Sequence, residues 1–104
     1  MDRVLSLLGI AQKAGKVVSG GFLCEKSIKA KQARLVILAG DAQKNTVSTI
    51  SNKCTFYNIP FGFYGTKETL GHAICKEELS CVAVTDQGLA DSINKLLSSG
   101  KKEE

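Results

Sequence analysis

No apolar run in this chain approaches the ~20 residues that a membrane-spanning helix requires, which excludes a helical membrane span. Met1-Asp2-Arg3 leads directly into an amphipathic pattern rather than an apolar secretory segment, so no leader peptide is expected. There is one histidine and no C-x-x-C; the four cysteines stand at 24, 54, 75 and 81. That spacing gives little support to a zinc site or a disulfide framework, and buried reduced thiols in a cytoplasmic protein are the expectation. The sequence also lacks internal repeats, linkers and low-complexity tracts, and its single proline falls at a chain break, Asn58-Ile59-Pro60.

What is present suits one folded unit. At 104 residues, 43% hydrophobic and 23% charged, the chain can bury about two thirds of its extended surface. A single domain is expected over residues 1–98, with a frayed tail over 99–104. The net charge of +4 is unevenly placed. Residues 1–34 hold seven Lys/Arg against two acids, a net of +5, while residues 35–104 hold seven against eight, a net of −1. A basic first third suits a one-sided nucleic-acid patch, and equally an ordinary solvated lysine face.

Hydrophobic spacing gives the elements. Val4, Leu7, Leu8 and Ala11 recur at helical spacing up to a stop at Gly15. Val17-Val18 reads as a very short strand, and Ser19 as the N-cap of a basic helix over about 20–31. In that helix Phe22, Lys26 and Lys29 share a face, leaving Leu23, Cys24, Ser27 and Ile28 for a core. Leu35 to Ala39 and Cys81 to Val84 are continuous apolar runs, the pattern of strands covered on both faces. Helices are expected over about 43–56 (Val47, Ile50, Cys54), from a Thr66 cap to Ile74, and from an Asp86 cap through Leu89, Ile93, Leu96 and Leu97. Phe61 to Tyr64 alternates as a strand. Alternating helix and strand imply an α/β fold, a three-layer α-β-α sandwich on a four-stranded mixed sheet.

Chemistry-bearing constellations are few. Gly9 to Val17 resembles a phosphate-binding loop, but its spacing is one residue too long, Val17 replaces the Ser/Thr that would hold Mg²⁺, and no strand precedes it. No paired carboxylates or activated nucleophile can be assembled, and His72 lacks a companion in its motif. An enzyme is not expected, nor a cofactor or metal. Two features point to a polyanion instead. Gly20-Gly21 opens the basic helix and lets a ligand approach unpaired amides. Lys44, Asn45 and Thr46 stand between the end of a buried strand and a helix start, where they serve either as an anion site or as plain capping groups.

Three segments together resemble the kink-turn RNA-binding family of ribosomal proteins, and within it the small bacterial YlxQ-like group. They are Gly15-Lys16-x-x-x-Gly20 with Lys26 downstream, Ala33-Arg34-Leu35-Val36-Ile37-Leu38-Ala39-x-Asp41-Ala42, and Thr66-Lys67-x-x-Leu70-Gly71-x-Ala73-Ile74 leading to Val82-Ala83-Val84-x-Asp86. Ser19-Gly20, Asn45-Thr46 and Asp86-x-Gly88 carry the likeness to the bacterial group. The similarity spans residues 3 to 98. It implies a three-layer fold that binds structured RNA, of kink-turn or ribosomal type, without catalysis. It also implies a monomer in the cytoplasm beside ribosomal proteins.

The resemblance implies contacts at the start of the second helix and in the loop before the last strand. Gly20 and Lys26 match the family's close-approach glycine and its lysine. The two polar base readers fall on Phe22 and Leu23, which cannot hydrogen-bond base edges. Phe22 could stack on an unpaired base or fold back against the protein. Leu79 is the apolar candidate in the loop, beside Ser80 and the adjacent carboxylates of Glu77 and Glu78, which repel phosphate unless they point away. The expected RNA-binding set is therefore Lys16, Gly20, Gly21, Phe22, Leu23, Lys26, Lys29, Lys44, Glu78, Leu79 and Ser80. A protein-interaction module on the same scaffold is the alternative, since apolar residues beside lysines also suit a protein partner.

Overall fold

The chain runs α1 (Arg3–Lys13), β1 (Val17–Ser19), α2 (Gly21–Lys29), β2 (Leu35–Leu38), α3 (Lys44–Phe56), β3 (Phe61–Phe63), α4 (Lys67–Ala73), β4 (Cys81–Val84) and α5 (Gln87–Glu103). The computed structural model describes the backbone of residues 2–103, and residues 2–98 in full. The tail expected over 99–104 lies outside the residues described in full.

Local chemistry sets most boundaries. The Asp2 carboxylate accepts from the Leu5 N–H at 3.0 Å and starts α1; Gly15, at φ 72°, stops it where a side chain would be strained. At α4, Thr66 accepts from the Thr69 N–H at 3.2 Å, and the Thr69 hydroxyl accepts from the Thr66 N–H at 2.8 Å, a reciprocal capping box. Asp86 starts α5 by accepting from the Leu89 N–H at 2.9 Å.

The sheet order is β1-β4-β2-β3, with β4 antiparallel to both neighbours and β2 parallel to β3, so the sheet is mixed. The central strands β2 and β4 are buried throughout, which is why their sequences are unbroken apolar runs. Leu35, Ile37, Ala39, Val82 and Val84 face α1, α4 and α5, packing on Val4, Leu8, Leu70 and Ile93. Val36, Leu38, Cys81 and Ala83 face α2 and α3, packing on Cys24, Ile28, Ile50 and Cys54. Each buried Leu or Ile contributes about 1.5–3 kcal/mol of hydrophobic stabilisation.

Strand direction sorts the connections into two poles. At one pole β1, β2 and β3 end and β4 begins, so the starts of α2, α3 and α4 meet the 75–80 loop. At the opposite pole lie the ends of α1, α2 and α3, the segments 14–16, 30–34 and 57–60, and the start of α5.

Two local expectations are corrected. Ser19 does not cap α2; it belongs to β1, opposite Val82, and the N-cap is Gly20. Leu23 is not in the core: it is 48% exposed, and only Cys24, Ser27 and Ile28 of α2 are buried. A helix of nine residues laid flat on a sheet presents a narrow stripe inward, and position 23 falls outside it.

Candidate nucleic-acid interface

Gly20 joins β1 to α2 with φ 89° and ψ 153°, a backbone region occupied essentially by glycine alone. Its N–H donates to the Cys81 carbonyl at 3.1 Å and its carbonyl accepts from the Cys24 N–H at 2.9 Å. The helix start is thus fastened directly to the residue that opens β4. A Cβ on Gly20 or Gly21 would meet nothing within 4 Å, so the backbone there is open to solvent. No side chain caps α2, and no acid lies in its first turn. Its leading amides therefore keep their donors and the positive end of the helix dipole.

The start of α3 has the same character. Gln43 is its N-cap without a side-chain bond, Lys44 is its first residue, and no acid lies in its first turn. By contrast α1, α4 and α5 are closed by Asp2, Thr66 and Asp86. Of the five helices among the described residues, the two with open starts are both at this pole and pack side by side on one face of the sheet.

The 75–80 loop is fastened down on the other side. The Lys76 N–H donates to the Gly71 carbonyl at 2.8 Å, the Leu79 N–H to the Lys67 carbonyl at 3.0 Å, and the Ala39 N–H to the Ser80 carbonyl at 2.8 Å. Gly71 is required for this approach, because a Cβ there would lie far inside van der Waals contact of the Glu77 carbonyl. Leu79 is half-buried against the core under α4. Glu77 and Glu78 line a shallow acidic depression with Glu68 and His72, on the α4 side of the loop. Two turns missed by the sequence reading complete the pole. The Gly40 N–H donates to the Gly65 carbonyl, and the Asp41 carboxylate accepts from the Lys67 N–H, both at 2.8 Å. Asp41 thus closes α4 across 26 residues of chain. Nothing in the local sequence signals such a cap.

The structure brings Gly20, Gly21, Phe22, Leu23, Lys26, Lys44, Leu79 and Ser80 to one pole. Phe22 is 77% exposed, so it does not fold back against the protein. It lines a shallow depression with Glu25, Lys26 and Lys29, as the helical spacing predicts. Two expected residues do not join, and a third, Glu78, reaches this pole on the α4 side of the loop. Lys16 precedes β1 and lies about 13 Å of extended chain from Gly20, at the opposite pole, where its carbonyl accepts from the Thr85 N–H. Lys29 is two turns down α2, about 12 Å from its start. Glu78 belongs to the acidic depression. Nor is the basic excess concentrated here. This pole holds Arg3, Lys26, Lys44, Lys67 and Lys76 against Asp2, Glu25, Asp41, Glu68, Glu77 and Glu78.

Ionisation is perturbed at Cys24, Cys54, Cys81 and Tyr64. Cys24, Cys54 and Cys81 are buried together between the sheet and α2 and α3, while Cys75 is exposed, contrary to the expectation that all four are buried. The Cys24 thiol is pushed up by its hydrogen bond with Cys81 and by burial; Cys54 is pushed up to about 12, first by burial. Tyr64 is pushed up to about 12 by donating its hydroxyl proton to the Asp2 carboxylate. Among the described residues no His, Cys, Asp and Glu side chains cluster as a metal site, and no helix is long and apolar enough to cross a membrane.

The model of the Ribosomal protein L7Ae/L30e/S12e/Gadd45 family matches residues 2–94. The chain belongs to this family. Among its relatives in the L7Ae/L30e/S12e/Gadd45 family, the RNA-binding protein YlxQ of Bacillus subtilis (strain 168) is 44% identical over 91 residues, 88% of this chain and 91% of that protein. The RNA-binding protein YlxQ of Enterococcus faecium is 26% identical over 96 residues, 92% of each chain. A solved structure of a protein with unknown function from Bacillus halodurans C superposes with a TM-score of 0.91 at 34% identity, over 94% of this chain and 99% of that one. The Giardia lamblia 15.5kD RNA binding protein shares the fold, with a TM-score of 0.77 at 20% identity over 91% and 84% of the two chains.

Proposed function

We propose that this chain is a non-catalytic RNA-binding protein of the cytoplasm. It would take structured RNA at the open start of α2 and the neighbouring 75–80 loop, in company with ribosomal RNA and proteins. The observation that carries the reading is the mouth of α2: a glycine junction, uncapped amides, an exposed Phe22 and Leu23, and Lys26 one turn on. Backbone N–H groups at a helix start and a lysine suit phosphate oxygens. Phe22 offers a stacking face to an unpaired base, worth about 1–3 kcal/mol. The YlxQ relatives are RNA-binding proteins by name, which supports the same ligand class.

Kink-turn RNA is the natural first ligand, bound as backbone and stacked base rather than through edge reading, because Phe22 and Leu23 cannot hydrogen-bond bases. RNA crosslinked in cells should be recovered and compared with a standard kink-turn by gel shift. Lys26→Glu should weaken binding about tenfold and lower the salt slope by about 0.9 for each phosphate that is no longer neutralised. Unchanged affinity in Lys26→Glu removes the site. The second reading, a protein-docking module, is favoured by the adjacent exposed Phe22 and Leu23. A partner that co-purifies after ribonuclease treatment and is lost on Phe22→Ser would establish it.

A further inference from the structure

The pole opposite the α2 mouth holds most of the positive charge that the sequence assigns to the first third. Lys13 ends α1, Lys16 precedes β1, Lys29 ends α2, and Lys31 and Arg34 flank the turn into β2. Five of the seven cations of residues 1–34 thus lie at that pole, against two acids: Asp86, whose carboxylate caps α5, and Asp91, one turn into α5, whose carboxylate accepts from the Gln87 amide. The one ion pair among the described residues, Lys53 with Glu25 at 3.5 Å, involves none of the five. The other pole, at five against six, carries no such excess.

Two of these cations, Lys31 and Arg34, line a pocket. The ends of α2 and α3 lie side by side, and each is closed by a non-glycine residue in the left-handed conformation, Lys31 at φ 61° and Asn58 at φ 60°. The gap between the two helix ends and the start of α5 is about 250 Å³. Ala33 and Ile59 are its buried floor, and Tyr57 and Pro60 are its ring-bearing walls. Asn58 brings a side-chain amide, the Gln87 amide donates to the Asp91 carboxylate at 2.8 Å, and Lys31 and Arg34 bring cations. Three helix C-termini put about −0.5 charge each at this pole, but hydrogen bonds from 14–16, 30–33 and 57–59 already engage their last carbonyls. Five formal charges outweigh them.

We infer that this pole is a second RNA-binding site, which takes one nucleotide of a single strand. The base enters between Tyr57 and Pro60, its edge meets the amide of Asn58, and the flanking phosphates lie on Lys31 and Arg34. A slot with apolar faces, an amide group and a cationic margin matches an unpaired nucleotide, whose base is flat and whose backbone is anionic. With the α2 mouth occupied by structured RNA, the protein would join two RNA segments at opposite poles. The inference goes beyond the α2-mouth reading and does not depend on it.

The test uses the full chain with two probes, a labelled single-stranded oligouridylate and a labelled kink-turn hairpin, followed by fluorescence anisotropy at one salt concentration. Lys31→Glu/Arg34→Glu should weaken oligouridylate binding by about tenfold or more while the hairpin stays within about twofold. Lys95→Glu, an exposed charge on α5 away from the pocket, should leave both within about twofold, and circular dichroism should show all variants folded. Hairpin-bound protein should still be shifted by added oligouridylate. The inference is overturned if the pocket variant binds oligouridylate normally, if Lys95→Glu weakens it equally, or if Lys26→Glu alone abolishes it. Polyglutamate competing as well as RNA would also overturn it, in favour of an acidic protein segment. Loss of hairpin binding in Lys26→Glu tests the α2 mouth separately.

Discussion

Replacing Gly20 and Gly21 by alanine, one at a time, separates backbone strain from open space at the mouth of α2. Both positions are free of neighbours within 4 Å of an added Cβ, so neither change creates a clash. Gly20, however, sits at φ 89° and ψ 153°, where an L-residue costs about 1–3 kcal/mol. Gly21 opens the helix in ordinary helical conformation, where alanine is favoured over glycine by up to about 1 kcal/mol. Gly20→Ala should therefore lower the melting temperature by about 5–15 °C for a domain of this size, and Gly21→Ala should leave it unchanged or raise it. Urea melts with constant slope would show that stability alone has moved. Binding should divide differently: the Gly21→Ala methyl projects into the space a phosphate would occupy, so affinity for structured RNA should fall although the fold is intact. A Gly20→Ala protein as stable as the parent refutes the strain argument. A Gly21→Ala protein that binds RNA as tightly as the parent refutes the idea that ligand approaches the backbone there.

Three further outcomes follow from the packing and ionisation. Gly71→Ala must push the Glu77 backbone away from α4; it should cost about 1–3 kcal/mol in a urea melt and weaken RNA binding by displacing the 75–80 loop. The bond between Tyr64 and Asp2 raises the tyrosine from its ordinary 10.0 to about 12, so its contribution is fully present below pH 10 and is lost between pH 10 and 12. Stability of Tyr64→Phe measured across that window should be flatter with pH than that of the parent, and an identical slope refutes the assignment. With a thiol reagent at neutral pH, Cys75 should react at once and Cys24, Cys54 and Cys81 only on unfolding. Fast labelling of more than one thiol in the native protein would contradict the packing between the sheet and α2 and α3.

The sequence by itself determined the layers of this protein. Leu35 to Ala39 and Cys81 to Val84 are apolar on every residue because both faces of a central strand are covered, and that pattern is local. Thr66 and Asp86 announced their helices because a cap reaches only three residues. The likeness to a ribosomal RNA-binding family likewise lay in short segments read in order. Leu23 departs from expectation because a nine-residue helix leaves its rotation about its own axis to tertiary packing, and Ser19 because pairing with Val82 carries β1 one residue further than the Val17-Val18 pair suggests.

What only the tertiary structure decided is which ends of the elements meet. Strand direction and the order β1-β4-β2-β3 put Gly20 beside Cys81 and sent Lys16, four residues earlier, to the far side of the sheet. The same order let Asp41 cap α4, sent Lys13, Lys16, Lys29, Lys31 and Arg34 to one pole, and set Lys31 and Arg34 at the ends of α2 and α3. A strand of three residues reverses nothing in the sequence, yet it moves a side chain by about 10 Å and changes its pole. Charge along a chain is therefore read from composition, whereas charge at a site depends on pairings between segments far apart, which no local pattern encodes.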